Sequence, residues 1–209
     1  MDDGRIKDLE TIQSVFDKYG AKFVVGYGAL LGHYRDKNFL PGDDDIDIAC
    51  VDKLDLKTRK AIGWTLYDLG FQPQPISFNV FGRMEPSELG YNGDEKTGII
   101  VCQRNFKFTI FFFYEDDCPT HGREMVCIPK LGAVKLIASP AKFYKKFGEI
   151  KIGKKKYLTP SPIEEYLAFS YFDNWKDKTD RRHSLTYFEA HPDHFESLDI
   201  TGKNQVLIK

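Results

Sequence analysis

The acidic segment at residues 41–48 carries the strongest chemical signal in the sequence. It reads Pro-Gly-Asp-Asp-Asp-Ile-Asp-Ile, so acidic and apolar residues alternate over its second half. Successive side chains of an extended chain point to opposite faces, which places Asp43, Asp45 and Asp47 on one face. Asp44 then lies on the other face with the two isoleucines. Adjacent carboxylates on the acidic face are ~6.6 Å apart. They repel each other by roughly 2–3 kcal/mol at an effective dielectric constant of ~20.

A strand that carries such a row of carboxylates needs a compensating cation. Carboxylate oxygens are hard ligands and favour Mg²⁺ or Mn²⁺, so Asp45, Asp47 and Asp43 are the candidate metal ligands. Aspartate is among the poorest strand formers, so ordinary strand propensity does not explain the cluster. The alternative interpretation is a solvated acidic turn after Pro41 and Gly42.

The residues upstream favour the metal site over the turn. A short apolar run at residues 23–25 predicts a strand that ends at Gly26-Tyr27-Gly28, and a short helix is predicted from Ala29 to Tyr34. Backbone N–H groups at such a strand-to-helix junction can bind a phosphate. A phosphate-binding turn followed by a pair of aspartates is the minimal equipment for phosphoryl transfer from a nucleotide.

The elements that must position these groups alternate between helix and strand, which predicts an α/β fold. Apolar residues from Ile6 to Phe16 recur at helical spacing and are followed by Gly20, a typical helix end. A second helix is predicted over 54–69, and a hairpin is predicted from the β-branched and aromatic runs at 97–102 and 106–114. Ser161, Pro162 and Glu164 predict the start of a further helix.

Two stretches of the acidic region resemble the signature of the LicD/fukutin family. They are Gly-Ala-Leu-Leu-Gly-His-Tyr-Arg at 28–35 and Phe-Leu-Pro-Gly-Asp-Asp-Asp-Ile-Asp-Ile at 39–48. The aromatic run at 107–115 and the segment 165–175 are also similar to elements of that family. The resemblance implies a nucleotidyltransferase-like fold, a mixed β-sheet flanked by helices. It also implies transfer of phosphocholine or of ribitol or glycerol phosphate from a CDP-linked donor to a glycan.

The resemblance assigns roles to individual residues. Asp45 and Asp47 match the metal-binding Asp-x-Asp of the family. Asp43 matches the acidic residue before that motif, where it would support the metal or accept a proton from the acceptor. Gly28 and Ala29 match the small residues that face the donor phosphates.

Two basic residues are further candidates for contact with the donor phosphates. Arg35 matches a family arginine and can grip a phosphate with two N–H donors. Its alternative role is a salt bridge to Asp36 or to the acidic strand. Lys107 shares a strand face with Thr109 and can reach the donor phosphates, unless it lies at a solvent-facing strand end.

The sequence departs from the family pattern at two positions. Gly42 stands where the family usually has tryptophan. Thr109 stands where the family strand carries a third acidic residue, and its hydroxyl brings no charge to a metal. Two alternatives to the transferase therefore stay open. One is a strict nucleotidyltransferase that releases pyrophosphate, and the other is a catalytically silent module that binds nucleotide or glycan.

Length and composition limit the remaining possibilities. The chain has 209 residues, 42% of them hydrophobic, and a formal net charge of −1. We expect a single domain over 1–209, with a nucleotidyltransferase-like core at 5–130, a hairpin and helix at 131–178 that complete it, and a peripheral tail at 179–209. The balanced charge argues against a nucleic-acid partner. No segment has the ~20 apolar residues of a membrane span, so we expect a soluble, cytoplasmic protein.

Overall fold

The computed structural model describes residues 3–74, 76–78, 82–84, 91–93, 98–118, 122–126, 138–171 and 174–178. The described α-helices are α1 (Asp3–Lys18), α2 (Tyr27–Leu31), α3 (Leu56–Asp68) and α4 (Ile163–Tyr171). The described strands are β1 (Phe23–Val25), β2 (Asp45–Cys50), β3 (Gln72–Pro73), β4 (Ile76–Phe78), β5 (Gly82–Met84), β6 (Tyr91–Gly93), β7 (Gly98–Gln103), β8 (Lys107–Phe112), β9 (Tyr114–Cys118), β10 (Gly122–Val126), β11 (Ala138–Pro140), β12 (Gly148–Ile152) and β13 (Lys155–Thr159). A π-helical turn (Gly32–Asp36) continues α2, and a 3₁₀ helix (Ala141–Tyr144) precedes β12.

An eight-stranded mixed sheet forms the centre of the fold and is flanked by helices. Its strand order is β12-β13-β1-β2-β8-β7-β3, and β6 also pairs with β7. β1 is antiparallel to β2 and parallel to β13, while β2 is parallel to β8. The expected mixed sheet is therefore confirmed. The strands β12 and β13 lie outside the proposed 5–130 core in sequence but extend the same sheet through β1.

The local patterns of the sequence match most element positions. The first helix ends as expected, with Gly20 at a φ of +64° just beyond it. The predicted hairpin is the antiparallel pair β7 and β8. The helix α2 begins at Tyr27, before the predicted Ala29, and α4 begins at Ile163, one residue later than expected. The tail at 179–209 lies outside the described residues.

A single cluster of buried side chains packs the helices against the sheet. Phe16 of α1 meets Phe23 of β1 edge to face at 5.1 Å and stacks on Phe112 of β8 at 6.5 Å. Tyr19, just after α1, donates a hydrogen bond to the carbonyl of Ala61 in α3 at 3.2 Å, which ties the two helices together. Within the described residues, no helix is both long enough and apolar enough to cross a membrane.

Asp8 of α1 fixes the turn that connects β7 to β8. Its side chain is fully buried, and Oδ1 accepts hydrogen bonds from Arg104 Nε at 2.9 Å and Asn105 Nδ2 at 2.7 Å. Oδ2 accepts from the backbone N–H groups of Asn105 at 2.8 Å and Phe106 at 3.2 Å. A buried carboxylate is tolerated only when it is paired and hydrogen-bonded in this way. The clamp matters for the site because β8 begins at Lys107, directly after the turn.

We expect Asp8→Ala to lower the free energy of unfolding by about 1–3 kcal/mol, because it leaves the partly buried Arg104 guanidinium and the turn N–H groups without their acceptor. Urea unfolding measures this loss. Asp17→Ala on the exposed surface of the same helix is the matched control and should change stability by less than about 0.5 kcal/mol. Equal effects of the two substitutions would show that the Asp8 clamp does not stabilise the fold.

Candidate active site at the edge of the sheet

The directions of three strands bring the candidate site residues to one edge of the sheet. Because β1 is antiparallel to β2, its C-terminal end lies beside the first residues of β2, and the N–H of Gly26 donates to the carbonyl of Asp47 at 3.3 Å. Because β2 is parallel to β8, both strands begin at this edge. In register, Asp45 lies opposite Lys107, and Asp47 lies opposite Thr109.

The predicted alternation of the acidic strand is confirmed along β2. Asp45 and Asp47 are partly exposed, whereas Ile46 and Ile48 are completely buried. Burial of the isoleucines against the core fixes the register, since a shift by one residue would bury the carboxylates instead. The two aspartates are therefore held on the face opposite the core isoleucines.

The placement of Asp44 on the face opposite Asp43 was wrong. One carboxylate oxygen from each of Asp43, Asp44 and Asp45 lies within 4.8 Å of the others, so the three residues form one acidic cluster. The strand begins only at Asp45, and the preceding residues form a turn in which Gly42 has a φ of +81°. Strand alternation does not apply to a turn, so Asp44 is free to point the same way as its neighbours.

The charged form of Asp47 is electrostatically unfavourable at this edge. Burial is the main reason that its pKa lies well above the ordinary value of 3.8. The negative charges of Asp45 and Asp43 raise this pKa further, and the Lys107 ammonium opposes the rise. A carboxylate that is partly desolvated beside other carboxylates is stabilised by a divalent cation. The carboxylate oxygens of Asp43, Asp44 and Asp45, a group that does not include Asp47, fit a hard cation such as Mg²⁺ or Mn²⁺.

Lys107 and Thr109 contact the acidic cluster from the neighbouring strand. Lys107 Nζ lies 3.0 Å from Asp44 Oδ2 and 3.5 Å from Asp45 Oδ2. Burial alone lowers the pKa of Lys107, but the hydrogen bond to Asp44 and the charge of Asp45 outweigh it and raise the pKa overall. Thr109 is buried, and its hydroxyl donates to Asp45 Oδ2 at 3.1 Å. Position 109, where the resemblance to the family leads us to expect a third acidic residue, therefore faces the aspartates directly.

The glycine turn after β1 lies against the same cluster. A Cβ on Gly28 would collide with Asp43 Oδ2 and lie 3.2 Å from Asp43 Cγ, so only glycine lets this carboxylate approach the backbone. Tyr27 adopts a φ of +47°, which is unfavourable for a bulky residue and is most often found where function requires it. The methyl group of Ala29 is buried in the core.

Arg35 binds the C-terminal segment of the described chain. Its Nη2 lies 2.9 Å from Asp36 Oδ2, and Nη1 donates to the carbonyls of Trp175 at 3.0 Å and Asp177 at 3.3 Å. The hydrogen bond from Arg35 lowers the pKa of Asp36. The guanidinium therefore forms the salt bridge to Asp36 that was predicted as the alternative to phosphate binding. It also anchors residues 174–178.

Tyr171 at the end of α4 is a site residue that the sequence reasoning missed. Burial raises its pKa well above 10.0, and the charges of Asp47 and Asp43 raise it further. The phenol therefore keeps its proton beside the carboxylates and is available as a hydrogen-bond donor. The only sequence signal was the resemblance of the segment around it to the closing element of the family, which gave Tyr171 no role.

The site lies in a part of the chain that matches a known protein family. A family model described as "LicD/FKTN/FKRP, nucleotidyltransferase domain" matches residues 20–161, a range that includes the glycine turn, the acidic cluster and β8. Comparison of the sequence with curated proteins gives no match. Among solved structures, the chain is similar to the antibiotic-resistance factor ANT(2'')-Ia, with 14% identity and a TM-score of 0.44 over 92% of this chain and 85% of that one.

The raised pKa of Asp47 predicts a pH dependence of stability in metal-free protein. An acid whose pKa is raised on folding destabilises the folded state once the pH exceeds the unfolded value, and the penalty is absent below that value. We therefore expect Asp47→Asn to increase the free energy of unfolding at pH 7–8 in EDTA. The gain should vanish near pH 4, close to the ordinary aspartate value of 3.8.

Urea titrations at several pH values measure this difference, and the exposed Asp17→Asn serves as the control. A gain from Asp47→Asn that is the same at pH 4 and pH 8 would contradict the electrostatic explanation, because it would then come from packing.

Proposed function

The chain belongs to the LicD/FKTN/FKRP family, and we propose that it is a metal-dependent transferase that moves a phospho-alcohol group from a CDP-linked donor to a glycan hydroxyl. The group transferred is phosphocholine or ribitol or glycerol phosphate. The observation that carries this proposal is the contact of Asp43 with the Gly28 turn, just before the strand that carries Asp45 and Asp47. Carboxylates for a cation and a turn able to face phosphates lie at the same edge of the sheet.

Asp45 and Asp47, supported by Asp43, are the residues that hold Mg²⁺ or Mn²⁺ in this proposal. When bound, the ion neutralises charge on the donor diphosphate, which is the main requirement of phosphoryl transfer. The raised pKa of Asp47 supports the assignment, because the charged form of this side chain is unfavourable without a cation. Asp44 belongs to the same cluster but is the most solvent-exposed of its three carboxylates, with 83% of its side chain exposed.

The remaining residues position the donor. The backbone of Gly28 and Ala29 faces the diphosphate, because side chains are absent or turned into the core at these two positions. Lys107 moves from Asp44 to a phosphate oxygen, since its side chain is 30% exposed and its ion pair with Asp44 is open to solvent. Arg35 contributes a second positive charge near Tyr171 and holds the C-terminal segment close to the site.

In the proposed reaction the acceptor hydroxyl oxygen attacks the phosphorus that carries the alcohol. The bond from this phosphorus to the bridging oxygen breaks, and CMP leaves with the electron pair. Asp43 accepts the proton of the acceptor hydroxyl. Its contact with Gly28 supports this role, because it places the carboxylate beside the turn that faces the donor.

We expect Asp45→Asn and Asp47→Asn each to reduce turnover at least about 10²-fold, because each removes a charged ligand from the site of developing charge. The measurement is CMP release from CDP-choline, CDP-ribitol and CDP-glycerol, tested in turn with Mn²⁺ and a glycan pool. Asp17→Asn is the control for a charge change far from the site. Undiminished turnover in both site variants would disprove the mechanism.

The same assay separates the transferase from a strict nucleotidyltransferase. A strict nucleotidyltransferase releases pyrophosphate from a nucleoside triphosphate and leaves CDP-alcohols intact. Pyrophosphate release without CMP release would therefore replace the proposed reaction with the second one, on the same metal site.

A second candidate function is a silent module that binds nucleotide or glycan without turnover. Thr109 favours it, because a neutral hydroxyl contacts Asp45 where the family carries a third carboxylate. Lys107 also favours the silent module, since its ammonium already offsets part of the negative charge that would attract a metal ion.

Thr109→Asp tests how much the missing carboxylate matters. We expect this variant to bind Mn²⁺ about tenfold more tightly than the wild type, because affinity for hard cations rises with the number of carboxylate ligands. An asparagine side chain has nearly the same shape as aspartate but no charge, so Thr109→Asn is the matched control. Calorimetric titration measures both. Identical Mn²⁺ affinities for the two variants would show that position 109 does not face the ion.

A further inference from the structure

A large cleft lies at the opposite end of β2 from the acidic cluster. Its volume is about 1190 Å³, which is ample for a ligand larger than a single sugar. β2 runs from Asp45 at the acidic edge to Cys50, and five steps along a strand span about 17 Å. The cleft begins with the residues that follow β2. We call it the Arg59 cleft, after its lining residues Arg59, Lys53, Lys57, Lys145, Tyr144 and Phe147.

Arg59 is the unusual residue of this cleft. Its side chain belongs to α3 and is only 2% exposed, and its guanidinium lies 5.6 Å from the centre of the Phe112 ring. Of its five N–H donors, Nε–H binds the carbonyl of Leu54 at 2.9 Å. Nη1 is buried and has no hydrogen-bond partner among the described residues. A buried guanidinium with an unused donor is costly unless a ligand supplies the acceptor.

Three acidic residues line the cleft, Asp52, Asp55 and the exposed Glu115, and none of them is a hydrogen-bond partner of Arg59 Nη1. Asp55 caps α3 and accepts from the N–H of Thr58 at 2.6 Å, and Asp52 accepts from the N–H of Lys22 at 2.6 Å. Both carboxylates are therefore engaged by backbone groups. Within the described part of the chain, Lys53, Lys57 and Lys145 form no salt bridge, and all three are exposed at the rim. The cleft thus has a buried cation inside and exposed cations around its mouth.

The opposite wall of the cleft is aromatic. Phe113 and Tyr144 are buried against each other with ring centroids 5.7 Å apart. Phe147 lies at the rim with 38% of its surface exposed. The exposed ring of Phe147 can pack against the face of a ligand ring, while the few charged groups fix the orientation of that ligand.

We propose that the Arg59 cleft is a second binding site, which takes a phosphate or carboxylate carried on a sugar ring. The anion accepts hydrogen bonds from Arg59 and from the lysines at the rim, and the ring packs on the aromatic wall. A guanidinium presents planar paired donors that match both phosphate and carboxylate oxygens. This site lies at the far end of β2 from the proposed reaction and does not depend on the proposed function.

The test is binding of glucose 6-phosphate, glucuronate, inorganic phosphate and neutral glucose, followed by calorimetry and by amide chemical shifts. EDTA is present throughout, so that no metal recruits phosphate to the acidic cluster, and no donor or turnover is involved. Glucose 6-phosphate and glucuronate identify whether phosphate or carboxylate is preferred. We expect one or both to bind more tightly than inorganic phosphate, and glucose to bind least.

Arg59→Met should weaken binding at least about tenfold, because the anion loses a charge-assisted hydrogen bond. Arg59 is buried, so Arg59→Met is informative only if this variant folds. If it does not fold, the double variant Lys57→Ala/Lys145→Ala tests the same site, because both lysines are exposed at its rim. This double variant should also bind the charged sugars more weakly than the wild type. Lys154→Ala, an exposed lysine of the β12–β13 turn, is the matched control and should bind normally. Asp45→Asn should also bind normally.

Three results would overturn the proposal. The first is the absence of binding by either charged sugar up to about 10 mM, the weak end of specific affinity. The second is equal affinity for glucose and the charged sugars. The third is binding that survives the double lysine variant but is lost in Asp45→Asn, which would place the ligand at the acidic cluster.

Discussion

Repulsion between carboxylates at one edge of the sheet is the constraint on which the rest of the site depends. Asp43, Asp44 and Asp45 bring their oxygens within 4.8 Å of one another, and Asp47 is desolvated behind them. Such an arrangement is unfavourable for an isolated chain and is maintained because the core isoleucines of β2 hold the strand in register. Burial of these isoleucines therefore stabilises a strand that holds several negative charges close together.

The surrounding elements limit this charge without cancelling it. Lys107 reaches the cluster from β8 and Thr109 donates to Asp45, while Tyr171 remains protonated beside it. The position of β8 depends in turn on the Asp8 clamp, which fixes the turn just before Lys107. A structural carboxylate in α1 therefore helps to set the electrostatics of a site formed by other elements.

The two ends of β2 carry desolvated charges of opposite sign. At its start the desolvated group is an anion that favours a cation, and beyond its end Arg59 is a desolvated cation that favours an anion. Both follow from the same physical rule, that a charge removed from water is stabilised by a partner of opposite sign. The strand thus separates a proposed reaction centre from a proposed anion site by about 17 Å.

Local patterns in the sequence determined the helices, the hairpin of β7 and β8, the alternation of Asp45 and Asp47 with the isoleucines, and the family signature, because periodicity and turn chemistry act between near neighbours. The tertiary structure decided which distant groups meet. It placed Arg35 against the C-terminal segment, brought Tyr171 to the acids and left Arg59 buried without a full set of partners. These outcomes depend on burial and on contacts between residues far apart in sequence, and no local spacing encodes either.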